Sequence, residues 1–135
     1  MARFLITGGC GFFGAWIIRR LLDDGDDVVV FDAQRNTTRW ELVLSRAEIE
    51  RLPFVAGRIE ETEGFIDAAR RAAPDAIIHL AGLQVPACRE NPVLGARVNV
   101  LGTLNAFEAA RALAGNAEDC SAAPRPSFHC RRGHR

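Results

Sequence analysis

Thr7-Gly8-Gly9-Cys10-Gly11-Phe12-Phe13-Gly14 stands between a short apolar run and an amphipathic stretch. Gly9, Gly11 and Gly14 satisfy G-x-G-x-x-G, and Gly8, Gly11 and Gly14 satisfy G-x-x-G-x-x-G. Both spacings serve one chemistry. Glycines permit a tight turn and let backbone approach a pyrophosphate, and the helix that follows offers unpaired N–H groups and a positive dipole to the anion. Gly14 lets that helix pack close to the sheet. Asp32 lies 21 residues beyond Gly11, close to the ~20-residue offset of an acid that binds the adenosine ribose hydroxyls. An acid there repels a 2′-phosphate and favours NAD; Arg35 is near enough to keep NADP open.

These residues need strands and helices to hold them. Arg3 to Thr7 reads as a buried strand, and Gly11 to Asp24 as a helix with Ile17, Ile18, Leu21 and Leu22 on its apolar face. Gly25 stands where a C-cap glycine belongs. Val28 to Phe31 is a second strand, apolar on both faces as in a covered parallel sheet. Thr38 is expected to cap a helix through about Ile49. A third strand is expected over 53–56, a helix over 63–72 stopped by Pro74, and a fourth strand over 75–81. Asn91-Pro92 opens a long helix to about Leu113. Leu94, Val98, Leu101, Leu104 and Phe107 form its apolar stripe, which core packing within the monomer largely explains. Alternation of this kind predicts βαβ units, hence an α/β, Rossmann-like, doubly wound parallel sheet.

Composition narrows the functions. The chain has 135 residues, 48% hydrophobic and 25% charged, enough for about one domain with its own core. Seventeen basic and 17 acidic side chains cancel, which argues against sequence-independent nucleic-acid binding. No apolar run approaches the ~20 residues that span a bilayer. The apolar start is too short for a secretion signal, so a cytoplasmic setting and reduced thiols are expected for its four cysteines.

Other constellations read as ordinary structure. Cys120, His129, Cys130 and His134 lack a zinc-knuckle spacing. Cys10 fits the turn as a small residue, and no partner base is spaced to activate it. His79 reads as a hydrogen-bonded structural histidine, without a spaced carboxylate or nucleophile.

The glycine loop, Asp32, His79-Leu80-Ala81-Gly82 and Asn99-Val100-Leu101-Gly102-Thr103, in this order, resemble the extended short-chain dehydrogenase/reductase family of NAD-dependent epimerase/dehydratase type. The resemblance covers residues 1 to about 113. It implies that Gly8, Gly11, Phe12, Phe13 and Gly14 face the pyrophosphate turn and that Asp32 binds the ribose. It implies that Arg58 and Ile59 flank the adenine, and that Leu80, Ala81 and Gly82 line the cofactor. Gln84 stands near the place of a cofactor-facing Lys, and Asn99 helps hold the site's backbone. It also implies that the long helix joins a dimeric helix bundle.

The sequence departs from the family in three places, the mildest being Gly82 for the usual Ala. Arg58 stands where the family commonly has an Asp that accepts from the adenine amino group. The family's catalytic Tyr-x-x-x-Lys pair has no counterpart, because the chain contains neither Tyr nor Lys. No residue is therefore assigned a catalytic role. Residues 1–114 are read as a Rossmann domain truncated after about four strands. Residues 115–135 are read as an irregular or disordered tail, arising from truncation or a reading-frame error. The fourth strand then becomes an apolar edge, which predicts self-association through that edge and the long helix. The function implied is the NAD(P)-binding part of an oxidoreductase acting on a nucleotide sugar or similar carbinol. A non-enzymatic nucleotide-binding or interaction module and a nonfunctional fragment remain the alternatives.

Overall fold

The computed structural model describes residues 1–115. The expectations for residues 116–135, including the tail, Cys120, His129, Cys130 and His134, lie outside the described residues. Strand β1 (Arg3–Thr7) is followed by α1 (Phe12–Asp23), β2 (Asp27–Asp32), α2 (Arg46–Arg51) and β3 (Phe54–Ala56). Then come α3 (Thr62–Ala72), β4 (Ala76–His79), α4 (Val85–Glu90), α5 (Pro92–Ala96) and α6 (Gly102–Gly115).

The four strands form a parallel sheet in the order β3-β2-β1-β4. Leu5 of β1 pairs with Val29 on one side and Ile77 on the other, which sets the register. Both faces are covered. Ile6, Val28 and Val30 pack with Ala15 and Ile18 of α1, and with Trp40 and Leu44. Leu5 and Phe31 pack on the other face with Phe65, Ala68 and Ala69 of α3 and with Ala106 and Ala109 of α6. Alternate residues of each strand thus feed opposite cores, and each fully buried large side chain contributes about 1.5–3 kcal/mol. Phe65 is fully buried and meets Phe31 edge-on, with ring centroids 4.9 Å apart.

Three elements differ from the sequence expectation, the first being α4, a short helix over Val85–Glu90 where none is expected. The helix expected from Thr38 to about Ile49 is a single 3-10 turn, Trp40–Leu42, followed by α2. Thr38 instead donates its N–H to Asn36 Oδ1 at 3.0 Å, a local turn. The cap is Ser45, whose N–H donates to Glu48 Oε2 at 2.7 Å while Glu48 N–H donates to Ser45 Oγ, a reciprocal capping box. The break lets Trp40 turn fully inward.

The helix after Pro92 is interrupted by a π-helical turn over Arg97–Leu101. The extra residue in that turn shifts the helix face, so a stripe drawn at constant period is misplaced. Leu101, Leu104 and Phe107 are exposed, while Asn105, Ala106 and Ala109 face inward. Small residues are required because the approach is close: a Cβ on Gly102 would sit 2.7 Å from Ile59 Cγ2. Core packing therefore does not account for the outer half of the stripe. Among the described residues no helix is long and apolar enough to cross a membrane.

Candidate functional site

The order β2-β1-β4 means that the chain leaves β1 toward one side and later returns on the other. A crevice opens there, at the carboxyl ends of the strands. It is a groove of about 1010 Å³. Ten of the residues singled out from sequence line it: Gly8, Gly11, Phe12, Phe13, Gly14, Asp32, Ile59, Leu80, Ala81 and Gly82. Arg58 and Gln84 line it as well. Asn99 is not among the lining residues. It sits behind them, accepting Leu83 N–H at Oδ1 (2.7 Å) and donating from Nδ2 to Leu83 O (2.9 Å). It thereby fixes the backbone that follows β4.

The glycine loop is built for close approach. Gly8 has φ +68°, and a Cβ there would fall 2.6 Å from Ala81 N. Gly11 N–H donates to Gly8 O at 3.0 Å, closing the turn. Ala15 N–H is bonded to Gly11 O at 3.2 Å, so the amides of Phe12, Phe13 and Gly14 precede the helical ladder and carry its positive end. The Phe12 and Phe13 rings are largely exposed on the groove's rim.

Asp32 is held at the end of β2. Its Oδ2 accepts Cys10 N–H at 3.0 Å and its Oδ1 accepts Ala33 N–H at 2.8 Å. Arg35 does not line the groove. Its guanidinium lies 5.9 Å from the Trp40 and Phe54 ring centroids, and its Nη2 donates to Ile49 O at 2.7 Å. The cation that kept NADP open in the sequence is thus occupied elsewhere.

Burial pushes the Cys10 thiol up to about 11, and its sulfur accepts Asn36 N–H. It is a protonated packing group, not a thiolate. His79 joins three elements. Thr7 Oγ1 accepts from Leu80 N–H (3.2 Å) and Ala81 N–H (3.3 Å). Its two lone pairs are then used, so its own hydrogen goes to His79 Nδ1 at 2.7 Å. The ring proton is therefore on Nε2, 3.2 Å from Thr103 Oγ1, whose hydroxyl donates to Asn99 O at 2.8 Å. His79 is neutral in this arrangement, and burial holds it below its usual range.

Two positioning residues escaped the sequence reading. Trp40, fully buried, donates Nε1–H to Gly9 O at 2.8 Å and so clamps the glycine loop from below. Asn105, also buried, donates Nδ2–H to Ile59 O at 2.8 Å and fixes the loop after β3. A buried indole needs a partner for its N–H, and Gly9 O supplies it for Trp40.

The family model for GDP-mannose 4,6 dehydratase matches residues 5–123. The chain belongs to this family. It corresponds to the amino-terminal, NAD-binding part of epimerase/dehydratase-type short-chain dehydrogenases/reductases. A CDP-paratose 2-epimerase of Salmonella typhi is 33% identical over 110 residues, covering 81% of this chain and 32% of the relative. A probable UDP-glucuronate 4-epimerase of Rhizobium meliloti (strain 1021) is 35% identical over 119 residues, covering 83% and 34%. The UDP-glucose 4-epimerase of Thermus thermophilus, solved in complex with NAD, aligns with a TM-score of 0.69 at 34% identity, covering 83% of this chain and 34% of that one. The chain thus spans about a third of the length of these relatives.

Proposed function

We propose that the groove binds NAD(H), and that the chain serves as the cofactor-binding part of an oxidoreductase acting on a nucleotide sugar or similar carbinol. One juxtaposition carries this reading. The free amides of α1 face the same groove as the Asp32 carboxylate, and one ligand matches both, a pyrophosphate joined to a ribose. Gly8, Gly11, Phe12, Phe13 and Gly14 would take the pyrophosphate. Asp32 would take the ribose hydroxyls, and Ile59 would pack on the base. Leu80, Ala81 and Gly82 would line the nicotinamide half, on backbone held by Asn99. The bound dinucleotide would supply the hydride acceptor; this chain binds and orients it.

Residues 1–114 act as one binding domain in this reading. Parallel titrations with NAD and NADP test the binding reading. NAD is expected to bind roughly tenfold or more tighter, because Asp32 repels a 2′-phosphate, and Asp32→Ala should erase the difference. Equal affinity for the two in the unaltered chain would contradict the role given to Asp32.

A further inference from the structure

The groove has an order along its length. The α1 amides mark the pyrophosphate and Asp32 marks the ribose. Strand β3 lies outside β2, so the base falls against the loop that follows β3, where Arg58, Ile59 and Glu60 line the groove. Arg58 Nε donates to Glu60 Oε1 at 2.8 Å. The Glu60 side chain is 5% exposed and that of Arg58 57%, so the carboxylate is an anchor and the guanidinium reaches outward.

A guanidinium has five N–H donors and no acceptor. Tying Nε to Glu60 leaves the two terminal nitrogens as an open fork. Of the two carboxylates that line the groove, Asp32 stands at the ribose, and Glu60, on the loop after β3, is buried and engaged by Arg58. The loop after β3 thus turns the Arg58 fork, and not a carboxylate, toward the base.

We infer that Arg58, anchored by Glu60, makes this subsite favour a 6-oxopurine dinucleotide over the 6-aminopurine of NAD. The fork matches O6 and N7 of a 6-oxopurine, two adjacent acceptors, whereas adenine sets the N6 donor beside N7. This rests on the dinucleotide reading above and names the base it takes.

The test is calorimetric titration of the full chain with NAD and with nicotinamide hypoxanthine dinucleotide, which differ at the purine 6-position. The hypoxanthine form is expected to bind roughly five- to tenfold tighter. Exchanging the pair, Arg58→Asp with Glu60→Arg, keeps opposite charges together and should reverse the preference. Arg58→Met keeps the stem, removes the fork and should abolish the preference. The ratio for the unaltered chain decides the matter even if a variant fails to fold. Equal affinities, or tighter NAD, overturn the inference and leave the dinucleotide reading standing. If a folded chain binds neither, both fall.

Discussion

Trp40 shows how a single side chain supports the site without touching it. Its Nε1–H holds Gly9 O, a carbonyl in a buried turn. Trp40→Phe removes the donor and leaves that carbonyl unpaired, which costs about 1–3 kcal/mol. Denaturant unfolding should show that loss, together with weaker dinucleotide binding through the loosened loop. Ala73 is a separate residue-scale case. It closes α3 at φ +44° and is exposed. Ala73→Gly should relieve the left-handed backbone and stabilise the chain by roughly 0.5–1 kcal/mol, visible as a higher unfolding midpoint. That the glycine loop, Asp32 and the residues after β4 share one groove was legible in sequence, because each stands at the carboxyl end of a strand. Trp40 and Asn105 were not, since each acts through a partner distant in sequence, Gly9 and Ile59. No local pattern encodes such a pairing.

Elements are joined by titratable groups whose signs can be worked out. His79 links β1, β4 and α6 through Thr7 and Thr103, and it is neutral when folded. Its pKa is lowered by burial from the ordinary 6.5, so below that value the unfolded chain binds more protons than the folded one. The stability is present above about 6.5 and falls as pH drops toward the folded value. Glu48 acts in a lower window. Hydrogen bonds from Ser45 and then from Arg19 hold its carboxyl at about 2 against the ordinary 4.5. The contribution of the α2 cap is present above about 4.5 and is lost toward 2. Unfolding midpoints measured from pH 8 to 3 should therefore fall in two stages. His79→Gln should remove the upper stage alone, and one stage in the unaltered chain would contradict this account. Element types were legible for every strand, since four apolar runs alternate with helical periods. The helix break at Ser45 and the π turn at Arg97–Leu101 were not. The first depends on burying Trp40, and the second inserts a residue that a constant period cannot register.

At the scale of the molecule, β4 is an edge among the described residues, with no charged side chain in Ala76–His79. The helix after Pro92 exposes Leu101 in its π turn and Leu104 in α6. Natural edges are protected by charge, proline or cover, so this edge is expected to pair with that of a second copy. Sedimentation velocity over a concentration series should show mass rising with concentration, and Leu104→Glu should reduce the rise. A monomer at every concentration would contradict it. The layered sheet and its crevice were legible because alternating strands and helices leave few topologies. The central claim is that this crevice holds a dinucleotide on the free amides of α1. The most direct test is calorimetric titration of the folded chain with NAD, beside Gly11→Asp, which sets a carboxylate against the incoming pyrophosphate. The account predicts saturable binding that the substitution weakens at least roughly a hundredfold. No binding by the folded chain, or binding that Gly11→Asp leaves unchanged, would contradict it.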